Sequence, residues 1–237
     1  AGPTLSISAN PSPTSFEIGT IISPIISRAL ALNDAGPENA KTLSKNSVLL
    51  STTFPYTDSN VTLGSTPITY IATSSYDEGA CKVNNRGVID CSGHIMADTV
   101  SSNSIIFVGS RLAFFGAPSS TPANSAAVRA LGNTSFNSDN NTTVDANGLA
   151  LGGSITPNFT ITIPIGATRV VFAYPATSRS VASVRYQELS DSEVKANFTE
   201  TSVTVEGANS YAAVTYRVFT YVPVEPFSIV NHYRVFI

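Results

Sequence analysis

The sequence predicts an all-β protein of two β-sandwich-type domains. Three observations carry this: only 12% of the 237 residues are charged, about half the usual share of roughly 25%; short apolar runs alternate with period two, most clearly between Phe159 and Val222; and 14 Pro and 15 Gly punctuate them. Helical surfaces are usually built from Glu, Lys and Arg. This chain fills its polar positions with Ser, Thr and Asn, which suit strands and turns.

From the N-terminus, β-rich runs fall around Leu5 to Ser8, Glu17 to Ser27, Ser47 to Thr53, Ile68 to Ser74 and Ser104 to Phe115. Their spacing between turn clusters reads as an Ig-like sandwich over residues 1–116. The segment Asn33 to Ala40, NDAGPENA, reads as a surface loop. The run IIFVGSRLAFFG is apolar on both faces around Gly109 and Ser110, which predicts a bulge or bend there.

GAPSSTPAN breaks the apolar pattern, so residues 117–124 read as a linker and residues 125–237 as a second sandwich module. One short helix follows the linker, from Ser125 to Leu131: Ala126, Ala127, Val128 and Leu131 have helical spacing, Asn124 is the N-cap and Gly132 the stop. Asn133 to Gly153 reads as a polar loop or a strand pair turning at Asn147-Gly148. Val170, Phe172 and Tyr174 then alternate with Val171 and Ala173. Ser202 to Glu206 and Ala212 to Val222 form a hairpin about Gly207 to Ser210, with Val214, Tyr216 and Val218 on one face and Thr215, Arg217 and Phe219 on the other. Pro223 and Pro226 end that strand, and Asn231 to Ile237 is placed as a final edge strand.

Chemistry-bearing residues are few. The formal net charge is −3 and the 13 basic residues are scattered singly, unlike the concentrated Lys/Arg footprint that binds nucleic acid or anionic lipid. No apolar stretch has the length of a spanning helix, and the opening AGPTLSISANPSPT does not read as a signal peptide. Starting at Ala1 without Met, the chain reads as a processed product or a piece of a longer one.

His94 and His232 are the only histidines, and neither lies in a nucleophile context such as G-x-S-x-G. The carboxylates Asp77-Glu78 and Glu188, Asp191 and Glu193 sit in loop text without calcium-loop spacing and read as solvated charge. No catalytic residue, cofactor or metal site is expected. Cys81 and Cys91 bracket KVNNRGVID, and a turn at Asn84 to Gly87 would set them opposite each other, which suits a disulfide; two free thiols fit the same text. Asn60, Asn133, Asn140, Asn141, Asn158 and Asn197 begin N-x-[ST] triplets, which chance supplies in so Asn- and Thr-rich a chain. Tyr56, Tyr76 and Tyr186 are the aromatic candidates for exposed surface contacts.

Several segments together carry a resemblance. PANSAAVRALGN, a polar stretch, FTITIPIGATRVVFAYPATSRSVASVRY, FTETSVTV and SYAAVTYRVFTYV follow in that order. The series resembles a module of tailed-bacteriophage virion proteins, and SFEIGTIIS, VTLGSTPITYIATSS and SIIFVGSRLAFFGAPSS are similar to the β-sandwich that often precedes it. Asp77 to Ser101 looks like an insertion, and the chain has no Trp and fewer Gly than such relatives. The resemblance implies a non-enzymatic structural component of a virion, assembled in the bacterial host cytoplasm: tail, baseplate, neck or head appendage, with capsid decoration or a receptor- or glycan-binding adhesin module as alternatives. The implied partners are other virion proteins, further copies of the chain and a host-surface glycan or receptor.

Overall fold

The computed structural model describes residues 1–13, 16–131, 143–144, 158–176, 183–187, 193–195, 198–228 and 231–236. The fold is all-β and of sandwich type, with mostly antiparallel sheets and, among the described residues, one α-helix. The chain divides into two compact units: Ala1–Thr14 with Ile21–Val108, and Ser15–Thr20 with Gly109–Ile237.

The first unit opposes two sheets. Thr4–Asn10, Ile25–Ala31 and Tyr56–Thr57 form one. The other runs Asp98–Ser101, Ile68–Tyr76, Glu38–Lys45, Val48–Ser51, with Ile105–Phe107 also pairing along Ile68–Tyr76. Thr4–Asn10 packs on the central strand of the second sheet. Alternation decides what that strand buries: Tyr70, Ala72, Ser74 and Tyr76 point inward, while Thr69, Ile71, Thr73 and Ser75 remain half-buried on the outer face. Leu5, Ile26, Leu43, Tyr70, Ile105 and Phe107 are buried in the core, where the Tyr70 and Phe107 rings pack edge-on with centroids 6.1 Å apart.

Polar side chains pin this core. Arg28 of the first sheet forms a two-pronged ion pair with Glu38 of the second, Nη2 lying 2.7 Å from Oε2. Ser74, fully buried, accepts from Arg28 Nη1 at 2.7 Å and donates to Glu38 Oε1 at 2.6 Å. Tyr70 Oη donates to Asp58 Oδ2, which Lys45 Nζ approaches at 2.7 Å. The Arg28 guanidinium, opposed by burial and helped by Ser74, holds the Glu38 carboxyl at about 2, well below its ordinary 4.5. A carboxyl with a depressed folded value contributes stability above the ordinary value and loses it as pH falls through the folded one. Urea unfolding of the native chain should therefore weaken more steeply than that of Glu38→Gln between about 4.5 and about 2. Parallel curves for the two proteins would count against the linkage.

Glu38–Lys45 is a strand where the sequence predicts a loop as far as Ala40. Only Leu43 in it is buried, so its membership depends on its neighbours and not on its own apolar pattern. The run expected from Glu17 to Ser27 is broken into Phe16–Glu17, Ile21–Ile22 and Ile25–Ala31, the first of which belongs to the second unit. The break expected near Gly109 falls at Val108, between Ile105–Phe107 and Gly109–Leu112.

In the second unit Phe114–Gly116, Val170–Pro175, Val214–Tyr221 and Thr199–Val205 form one sheet in that order. Phe114–Gly116 thus pairs with the second unit, although the sequence places it before the linker. Val170, Val171, Phe172 and Ala173 have no exposed surface, so this strand is covered on both faces. On one face lie Val203, Tyr216 and Val218, covered by Val128 of the helix Ser125–Arg129. Asn124 caps that helix, its side chain accepting from the Ala127 amide at 2.9 Å. On the other face Phe172 stacks on Phe219 with centroids 4.7 Å apart.

The predicted hairpin forms: Val205 pairs with Val214 across the one-turn segment Ala208–Ser210. A second sheet runs Asn158–Ile163, Asn231–Phe236, Ser183–Gln187, Glu193–Lys195. Asn231–Phe236 is therefore an interior strand with a neighbour on each side, not an edge. Gly132 and Asn147-Gly148 lie outside the described residues.

Candidate functional site

Cys81 and Cys91 are joined as a disulfide with their α-carbons 4.4 Å apart. The bridge closes a two-stranded hairpin in which Lys82 pairs with Asp90 and Val83 with Ile89. Asn84 makes the turn: its carboxamide oxygen accepts from the amides of Arg86 at 2.9 Å and Val88 at 3.0 Å, and Gly87 takes a φ of 75° that costs glycine nothing. Val83, Val88 and Ile89 are left exposed at 63, 57 and 67%.

Beside the hairpin lies a cleft of about 400 Å³ whose lining includes Asp34, Lys82, Asp90, Ser92 and His94. The Ser92 hydroxyl and amide hydrogen-bond the Asp90 carboxylate and hold it below its ordinary value. His94 is anchored through Nδ1, 2.6 Å from the Cys91 carbonyl oxygen. Its Nε2 is buried, has no hydrogen-bond partner among the described residues and lies 3.4 Å from Glu78 Oε1, an ionic distance when the imidazole is protonated. Lysine, two carboxylates and imidazole make a polar contact surface, with no nucleophile seated against a base and a third orienting group. Among the described residues, no three His, Cys, Asp or Glu side chains gather closely enough to hold a metal ion.

The other sequence candidates scatter. Tyr76, expected to be exposed, is 7% exposed because it ends the long central strand with its side chain on the core face; it is withdrawn as a surface contact. Tyr56 is half-buried in a strand pairing with Ile26. Tyr186 lies in Ser183–Gln187, and its side chain falls outside the described residues. Asp77 is engaged structurally: its carboxylate accepts from Asn39 Nδ2 at 2.7 Å and its carbonyl from the Gly36 amide at 2.9 Å. Glu188 and Asp191 lie outside the described residues, Glu193 is in the strand Glu193–Lys195, and His232 is in Asn231–Phe236. Sequence reasoning named His94 but not Lys82, Asp90 or Ser92. Their position against the two cysteines is the signal that would have found them.

Fold and site together define a β-sandwich protein bearing a disulfide-stapled hairpin. No family model, no curated protein and no solved structure matches the chain.

Proposed function

We propose that the chain is a non-enzymatic structural component of a bacteriophage virion, in the tail, baseplate, neck or a head appendage, working through symmetric assembly with its own copies and neighbouring virion proteins. One observation supports this above others. The segment TRVVFAYP, which carries the resemblance to virion modules, contains the strand Val170–Pro175, whose residues Val170 to Ala173 are buried on both faces in the second unit. The resemblance thus lies in residues that build the core. Low charge fits the same reading, since surfaces covered in an assembly carry fewer ions to desolvate.

Immunogold electron microscopy of purified particles, with antibody raised against this chain, tests it. Label on the tail or neck is the expected result, and even label over the head would make the chain a capsid decoration protein. Absence of label from every particle overturns the reading.

The adhesin reading has its own support in the stapled hairpin, whose tip presents Val83, Val88 and Ile89 beside the polar cleft. Binding to host cells that is lost when the hairpin is deleted would favour it.

A further inference from the structure

The bridged hairpin has no core of its own. Every residue from Lys82 to Gly93 is exposed, and the ladder between its arms is two pairs long, Lys82 with Asp90 and Val83 with Ile89. A two-stranded hairpin is marginal in water without help. Its arms are tied to each other and to the body of the first unit below the bridge. There the Gly79 amide donates to the Ile95 carbonyl at 2.7 Å, and Gly79 runs so close to the chain at Asp34 that a β-carbon would stand 2.0 Å from the Asp34 carbonyl oxygen. Above that tie, the turn at Asn84 and the disulfide are what order the loop. The two cysteines differ in access: Cys91 is exposed and Cys81 half-buried.

We propose that Cys81–Cys91 is a reversible redox site, a staple whose opening by a small dithiol frees residues 82–90 and leaves the sandwich folded. A thiolate of the dithiol attacks the exposed Cys91 sulfur, the bond to Cys81 breaks, and Cys81 leaves as a thiolate that takes up a proton. The dithiol's second sulfur then closes on the first as a cyclic disulfide and expels Cys91 as the second thiol. Two electrons and two protons have passed to the protein, and the dithiol is oxidised. A small disulfide such as oxidised glutathione runs the exchange backwards, re-forming the bridge and leaving two reduced thiols.

Position gives the switch its consequence. In a reducing compartment the apolar tip of Val83, Val88 and Ile89 is unfixed, and Lys82 and Asp90 are not held at the cleft. An oxidising medium sets both in place. The inference concerns the hairpin alone and goes beyond both functional readings above.

Limited proteolysis of the purified full chain with trypsin tests it, since Lys82 and Arg86 both lie in the loop. One sample stays oxidised; the other is reduced with dithiothreitol and capped with iodoacetamide before trypsin is added. Cleavage after Arg86 should be at least about tenfold faster in the reduced chain, because cutting follows the population of the open loop. The double variant Cys81→Ser with Cys91→Ser should be cut as fast without any reductant. Its urea unfolding midpoint should match that of the native chain, because the loop gains the same freedom in the folded and unfolded states. Treating reduced, uncapped chain with oxidised glutathione should restore the slow rate. Equal cleavage of oxidised and reduced chain overturns the proposal, as does protection that does not return. A midpoint that falls with the double variant would show that the bridge supports the whole unit and would overturn it too.

Discussion

Phe172→Ala should destabilise the second unit by about 3–5 kcal/mol, the usual cost of removing a fully buried aromatic ring. Phe172 has no exposed surface and sits in a strand covered on both faces. Its ring lies 8° from parallel to Phe219 at 4.7 Å between centroids and meets Phe198 edge-on at 5.5 Å. Alanine would lose the transfer free energy of the ring and both aromatic contacts, and would leave a hole that two neighbouring strands cannot close without breaking their ladder. Phe172→Leu retains most of the volume and should lose roughly half as much, since the residual cavity is smaller. Chemical denaturation followed through tyrosine fluorescence reads the difference. Equal midpoints for the native protein and Phe172→Ala would show that the strand is not the centre of its core.

What the sequence made legible was local. Asn124 at the helix start, the hairpin about Gly207 to Ser210 and the alternation of Val214 to Phe219 each rest on residues close together in the chain, and each appears in the structure. What it concealed depends on distant partners. Glu38–Lys45 contributes one buried side chain and is held by Ile68–Tyr76 on one side and Val48–Ser51 on the other. Asn231–Phe236 reads as an edge strand because nothing local announces its second neighbour, Ser183–Gln187. Phe16–Glu17 joins Gly109–Leu112 in a parallel pair, a contact that no turn signal marks.

The candidate surfaces divide in the same way. The cysteine spacing pointed to a hairpin, and the bridged strands form one. Tyr76 was misplaced because the sequence ends its strand at Ser74, and two further residues put the ring on the core face. The outer side of the long strand Ile68–Tyr76 was legible in the sequence as Thr69, Ile71, Thr73 and Ser75 at every second position. Only the register shows that the adjacent strands continue it with Ala40, Thr42, Ser44, Thr99 and Ser101.

Gly19→Ala should cost about 3 kcal/mol or more, combining a left-handed backbone with a close backbone approach. The segment Ser15–Thr20 comes from the N-terminal part of the chain yet belongs to the second unit. Ile18, 4% exposed, donates its amide to the Ser110 carbonyl at 2.7 Å and accepts from the Ala208 amide at 2.8 Å. Glu17 pairs with Arg129, and the Gly19 carbonyl accepts from Asn209 Nδ2 at 2.9 Å. The segment can lie this close because Gly19 has no side chain: its φ is 89°, and a β-carbon there would stand 2.1 Å from the Ala208 carbonyl oxygen and 2.4 Å from Tyr211 Cβ. Backbone cannot swing aside as a side-chain tip would, so alanine must push the segment out and with it the anchor Ile18. Gly166→Ala separates the two causes, because Gly166 shares the positive φ of 84° but a β-carbon there meets nothing within 4 Å. It should cost only about 1–2 kcal/mol, the backbone contribution alone. Denaturation midpoints of the two variants measure the gap. Were Gly19→Ala no worse than Gly166→Ala, the segment would be a loose strap and not part of the second unit's core.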